Sequence, residues 1–259
     1  MAHRPLILVT NDDGIHAPGI TALVKVAARI GDVVVVAPDK PQSGMGHAIT
    51  INSTLRVDKL KAHADAESWS CSGTPVDCVK MAINKLLPRK PDLVLSGINH
   101  GANHSINIIY SGTMSAAMEG AIEGVPSIGL SLLDYSIEAD FTAATAVAEK
   151  ICSWVLKNGL SKGVCLNVNI PRLHLDEIKG IRTCRQASGT WIEELDERTD
   201  PSGRKYYWLT GRFENFEPRK EDTDVWALEN GYVSVVPSQF DMTAHQELKQ
   251  VHSLDGKIA

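Results

Sequence analysis

Five short runs of apolar, mostly β-branched residues punctuate the first 170 positions, at 6–10, 33–37, 93–96, 127–131 and 164–170. Each is apolar almost without interruption, which is the pattern of a strand covered on both faces. Helix-length segments lie between them. The segment 19–29 places Ile20, Leu23, Val24 and Ala27 on one face, and 75–87 opens with Thr74 as N-cap and Pro75 at the first helical position. Two further helices are predicted, one from Thr113 to about Glu123 and one over about 137–157. Strand and helix in alternation predict right-handed crossovers and an α/β fold, an open, mostly parallel sheet with helices on both faces. The interval 48–70 breaks the rhythm. Its alternating Ile49, Ile51, Leu55 and Val57 predict a hairpin inserted at the sheet edge.

Beyond Ile170-Pro171 the pattern changes to turn-rich, strand-like pieces such as 206–210 and 232–236. A boundary near residue 185 divides the chain into an α/β domain, 1–185, and a small β-rich C-terminal extension, 186–259. Composition sharpens that division. Residues 1–130 contain two aromatic side chains, Trp69 and Tyr110, whereas the last 75 residues contain nine, including Trp191, Tyr206, Tyr207, Trp208 and Trp226. The formal net charge of −5 also resides there, since residues 1–184 carry 17 basic and 17 acidic side chains. The extension is too irregular for a large core of its own, so it is expected to pack on the first domain or on another subunit.

A dedicated surface for duplex nucleic acid would carry a basic excess, which this chain lacks. No run approaches the roughly 18 apolar residues of a membrane span, and 6–9 is too short for a signal-peptide core. The five cysteines are scattered, odd in number and without a Cys-x-x-Cys pair, the usage of reduced, mostly buried thiols in a cytoplasmic protein.

Ligands of open parallel sheets bind outside the carboxyl ends of the strands. After the first strand stands Asn11-Asp12-Asp13-Gly14. One aspartate there would serve as a helix cap; two adjacent carboxylates repel, and a hard cation offsets that cost. After the second strand comes a polar, glycine-bearing loop with Ser43. After the third come Asn99, His100 and Asn103, followed by Tyr110-Ser111-Gly112-Thr113 leading into a helix. A helix N-terminus behind Ser-Gly-Thr is either an ordinary cap or a phosphate cradle. No G-x-x-x-x-G-K-[ST] or post-strand G-x-G-x-x-G is present, which disfavours a P-loop NTPase and a standard dinucleotide binder. Together these loops point to one divalent cation on Asp12 and Asp13, with neutral oxygens from Ser43 and Asn99. Neutral ligands leave the site able to accept a phosphate dianion, with Asn103 and the Ser111-Gly112-Thr113 cradle on its oxygens.

At these residues the chain resembles the SurE family, the survival-protein nucleotidases. The resemblance also runs through Ser72-Gly73-Thr74-Pro75, Ser115-Ala116-Ala117-Met118-Glu119-Gly120, Asp222-Thr223-Asp224 and Gly231-Tyr232-Val233. It implies a Rossmann-like core, a C-terminal extension exchanged between subunits, and a homodimer or homotetramer. It implies a metal-dependent phosphatase of nucleoside monophosphates: a 5′-nucleotidase, with 3′-nucleotidase or exopolyphosphatase activity as possible additions. The family's metal ligands fall on Asp12, Asp13, Ser43 and Asn99, for Mg²⁺ or Mn²⁺. Its phosphate-side residues fall on Asn103, Ser111, Gly112 and Thr113. The chain departs from the family at His104-Ser105-Ile106-Asn107 and Met114, which flank the cradle and bear on substrate preference.

The expected reaction is attack of a metal-activated water on phosphorus, with Asp12, Asp13 and Asn103 as the catalytic residues. Either aspartate can position the water, and a direct aspartyl-phosphate is the other route. His47, His100 and His104 are the loop histidines available as a general acid. Two alternatives belong to other classes. A receiver domain would need a phosphoacceptor Asp where Asn99 stands, and a non-catalytic nucleotide- and metal-binding regulator would bind without turnover.

Overall fold

The computed structural model describes residues 4–64 and 66–256. In chain order its elements are β1 (Leu6–Thr10), α1 (Pro18–Ile30), β2 (Asp32–Pro38), β3 (Val57–Leu60), β4 (Glu67–Cys71), α2 (Pro75–Met81), β5 (Leu93–His100), α3 (Asn107–Tyr110), α4 (Gly112–Ile122), β6 (Ser127–Leu132), α5 (Thr142–Asn158), β7 (Val164–Ile170), β8 (Ile181–Thr183), β9 (Gly189–Thr199), β10 (Lys205–Asn215), α6 (Asp224–Glu229), β11 (Val233–Gln239) and α7 (Leu248–Val251). Nine strands form one sheet in the order β3-β4-β2-β1-β5-β6-β7-β11-β8. Its pairings are parallel except β3 with β4 and β7 with β11. The expected α/β architecture is therefore present, with β9 and β10 as a separate antiparallel ribbon.

Strand periodicity divides the core between two helical layers. Ile7 and Val9 of β1, with Val33 and Val35 of β2, pack with Ile20, Leu23 and Val24 of α1 and Ala144, Val147 and Ile151 of α5. The alternate residues Leu6, Leu8, Val34 and Val36 pack with Cys78 and Val79 of α2 and Ala116 of α4. All five cysteines are free and buried. Among the described residues no helix is long and apolar enough to cross a membrane.

Several predicted boundaries move, each for a local reason. The hairpin at the edge exists as β3 and β4, but Ile49 and Ile51 lie outside it, at 47% and 76% exposure. The Thr50 N–H and hydroxyl go instead to the Asp77 carboxylate, the hydroxyl at 2.6 Å. Asp77 also completes a capping box with Thr74 at the start of α2, and that helix continues as a wider turn over Ala82–Leu86. α5 begins at Thr142 rather than 137, because Asp140 accepts from the Thr142 N–H at 2.9 Å and its hydroxyl at 2.6 Å. β5 runs on to His100, with a register shift against β6 between Ser96 and Asn99, so residues expected in a loop lie on a strand end. The predicted strand 206–210 lies within β10, and 232–236 overlaps β11, which sits in the central sheet between β7 and β8.

From β1 the chain passes to β2 on one side and later returns to β5 on the other. The loops leaving β1 and β5 therefore diverge, and a crevice opens at their carboxyl ends. α1 approaches that crevice closely. A Cβ on Gly19 would overlap the Ile98 carbonyl oxygen of β5. Gly to Ala in an ordinary helix gains up to about 1 kcal/mol, whereas overpacking against backbone costs about 1–3 kcal/mol. Gly19→Ala is therefore expected to destabilise, read as a lower urea midpoint at unchanged m-value; a raised midpoint would show that α1 has room to spare.

Candidate functional site

The loop after β1 is fastened to the loop after β2. Asn11 Nδ2 donates to the Gly14 carbonyl at 2.9 Å, Ile15 N–H to the Pro38 carbonyl at 2.9 Å, and Gln42 N–H to the Asp12 carbonyl at 2.7 Å. That last bond sets Ser43 beside the two aspartates. Asp12, Asp13, Ser43, Asn99, Asn103 and Ser111 line one cleft of about 260 Å³, together with His100, Asn107, Tyr110, Tyr135 and Trp191. No Lys or Arg is among the described residues lining it.

Both carboxylates are held in an unfavourable place. Burial pushes the Asp12 carboxyl up to about 6, reinforced by the charge of Asp13 and offset in part by the Thr113 hydroxyl, which donates to Asp12 Oδ1 at 2.5 Å. Burial raises Asp13 as well, against the opposing pull of His100, whose backbone N–H it accepts. Asp13 Oδ2 is buried with no hydrogen-bond partner. α4 starts hard against the pair. A Cβ on Gly112 would stand 2.7 Å from Asp12 Cβ and 2.9 Å from its Oδ2, so glycine is what lets the helix N-terminus come this close.

Ser111 is the N-cap of α4, its hydroxyl oxygen accepting from Met114 N–H at 3.0 Å. Accepting leaves the hydroxyl proton free to donate into the cleft. Gly112 and Thr113 do not line the cleft; Thr113 is fully buried and serves Asp12. Asn99 donates its Nδ2 to the Gly101 carbonyl at 2.9 Å, which leaves its Oδ1 for a ligand. Of the three histidines only His100 lines the cleft. His47 pairs with Glu119 at 2.9 Å, and the His104 ring packs on Phe213 with centroids 5.1 Å apart.

Asn103 has a support that the sequence reading missed. Its N–H donates to Asn169 Oδ1 at 2.7 Å, its carbonyl accepts from Asn167 Nδ2 at 2.8 Å, and Asn169 Nδ2 closes the ring on Asn167 Oδ1 at 2.8 Å. Asn103 Nδ2 then donates to Ser131 Oγ at 2.8 Å. All four residues are buried. The signal was available, since two asparagines at i and i+2 in an otherwise apolar strand need partners on one face. The next turn of the loop is tied to the C-terminal region. Ser105 N–H donates to Asp224 Oδ2 at 2.8 Å, and Ala187 N–H donates to Asp224 Oδ1 at 2.9 Å.

Known proteins resemble the chain over nearly its whole length. The family model described as Survival protein SurE matches residues 7–193, a span that contains every residue lining the cleft. A protein named 5′-nucleotidase SurE from Flavobacterium johnsoniae is 62% identical over 251 residues, 96% of each chain. The protein of the same name from Christiangramia forsetii is 62% identical over 252 residues, again 96% of each. The crystal structure of the SurE protein from Aquifex aeolicus superposes with a TM-score of 0.84 at 42% identity, covering 97% of this chain and 100% of that one. Likeness of this extent reaches from the first strand to the C-terminal ribbon, and the chain belongs to the SurE family.

Proposed function

We propose that this protein is a phosphatase that hydrolyses nucleoside monophosphates to nucleoside and phosphate, using one divalent cation, Mg²⁺ or Mn²⁺, on Asp12, Asp13, Ser43 and Asn99. The observation that carries this reading is the charge of the cleft: one buried and one half-buried carboxylate, the latter with an unpartnered buried oxygen, and no Lys or Arg among the described lining residues. A phosphate dianion would be repelled from such a site unless a cation entered with it. Among the described residues no three His, Cys, Asp or Glu side chains converge to hold a metal, so neutral oxygens and water would complete the shell, as hard cations accept. The name shared by the relatives, 5′-nucleotidase SurE, supports the same reaction. When bound, the cation neutralises charge on the phosphoryl oxygens and makes water a stronger nucleophile near neutral pH.

The chain's own part is positioning and donation. Asn103, fixed by the Asn167–Asn169 ring and Ser131, keeps one amide N–H and its Oδ1 for the cleft. Ser111 offers its hydroxyl proton. All these donors are neutral, so they hold a phosphoryl group without trapping the phosphate product as a buried lysine or arginine would.

The extension 186–259 is proposed as the assembly element of a homodimer or homotetramer. Leu195, Leu209 and Met242 are 67%, 68% and 87% exposed in the single chain, the kind of apolar surface that a partner covers. Sedimentation of the full chain should give the mass of two or four copies, and a monomer at micromolar concentration would overturn this.

Phosphate release from AMP or GMP should require Mg²⁺ or Mn²⁺, stop on adding EDTA, and fall at least a hundredfold in folded Asp13→Ala protein. A panel extended to 3′-nucleotides and polyphosphate defines the range. Nucleotide binding without any turnover would leave the regulator reading instead.

Asp12 adds a stability test. Its carboxyl is raised from 3.8 to about 6 in the folded, metal-free chain, so the folded state holds its proton more tightly than the unfolded one. That advantage is complete below about pH 4 and lost as pH rises through about 6, after which burial of the charge costs up to roughly 3 kcal/mol. In EDTA at pH 7.5, Asp12→Asn should therefore raise the urea midpoint, with a stability gain that shrinks toward pH 4, while the same variant assayed with Mg²⁺ or Mn²⁺ should show no turnover. A destabilised variant at pH 7.5 would refute it.

A further inference from the structure

The cleft has two kinds of lining: Asp12, Asp13 and the proposed phosphate donors, and the aromatic side chains of Trp191, Tyr135 and Tyr110. Trp191 belongs to β9, in the aromatic-rich extension, yet it reaches the crevice of the parallel sheet. Three features fix it there. Its indole N–H donates to Asn107 Oδ1 at 2.7 Å, its ring meets Phe213 edge-on at 6.2 Å, and Phe213 is its register partner on β10. Trp191 nevertheless keeps 39% of its surface exposed, and Tyr135 keeps 78%. A large indole anchored at both its polar and apolar edges, with surface left open on a cleft, is built to receive a flat group.

We infer that Trp191, with Tyr135, forms the subsite for the base of the nucleotide and selects nucleotides over phosphate esters that lack an aromatic group. The inference rests on the phosphatase reading above and adds a residue that sets specificity. Apart from the proposed metal ligands, no Asp, Glu, Lys or Arg is among the described lining residues, so the group received on the rings is uncharged. Stacking is indifferent to the hydrogen-bonding edge of a base, so the subsite accepts all bases and favours the larger purines. Asn107, whose Oδ1 is occupied by the indole, has its Nδ2 left to donate to a base or sugar.

The test compares AMP with ribose 5-phosphate, which carries the same phosphoryl group without a base. In Trp191→Ala the KM for AMP should rise about tenfold, the usual loss on removing one stacking ring, with kcat and the kcat/KM for ribose 5-phosphate within twofold of the parent. Trp191→Phe should recover most of the AMP affinity, whereas Trp191→Leu should not. These two conservative variants decide the matter should the alanine variant fold poorly. Equal loss on both substrates would mean that Trp191 merely braces the loop through Asn107, and no change on either would mean that no base stacks there; each outcome overturns the subsite. Failure of the parent enzyme to release phosphate from both compounds would instead refute the phosphatase reading.

Discussion

Two carboxylates stand side by side at the end of a strand that has water on neither face. Nothing in the surrounding apolar layers favours that placement, and the upward displacement of both acids records its cost. The local structure is organised to tolerate the pair without neutralising it. Thr113 gives Asp12 a hydroxyl, Gly112 removes the one side chain that would push α4 away, and the Gln42 N–H ties the Asp12 carbonyl to the neighbouring loop. A lysine in the same place would satisfy the carboxylates permanently and close the site to a cation. On the proposed reading, a bound cation would offset that cost, so affinity for it and the strain of the carboxylate pair would have the same physical source.

From this follows the absence of Lys, Arg and further carboxylates among the described residues lining the cleft. On the proposed reading, a cation and two aspartates roughly balance, and further charge of either sign would spoil the site: carboxylates would repel the phosphate, and cationic side chains would retain the product. Serine hydroxyls and asparagine amides are what remain. Neutral donors are weak when loosely held, which explains the attention given to fixing Asn103. A buried asparagine can rotate or flip; one whose N–H, carbonyl and amide are all engaged cannot do so cheaply.

The layered sheet was legible because its strands are apolar on both faces, and Leu6–Thr10 or Val164–Ile170 leave little else for the chain to be. The aspartate pair was legible because adjacent acids after a strand need a reason. Other features were hidden by tertiary partners. Ile49 and Ile51 alternate like a strand, but Asp77, 27 residues away from Thr50, takes the hydrogen bonds that a strand would have used. Gly97–His100 reads as loop and is strand, because β6 lies alongside to pair with it. Thr113 sits in a motif that suggests phosphate contact, yet its hydroxyl faces the aspartate behind the cleft. Trp191 could be assigned by composition only to the extension, since nothing local says that β9 begins beside α3.

Asp224 carries a consequence for how the site comes into being. This fully buried carboxylate joins Ser105, in the loop that bears Asn103, to Ala187 at the approach to the ribbon, and it also receives Val225 N–H at 2.8 Å. The contact bridges 119 residues. During synthesis the strands β1 to β7 can emerge and pair in order, N-terminal part first, but the loop above them lacks its tether until residue 224 has left the ribosome. A nascent chain therefore owns a nearly complete sheet well before it owns a finished cleft. The finished cleft arrives late, only after the C-terminal region that supplies Asp224 has been made.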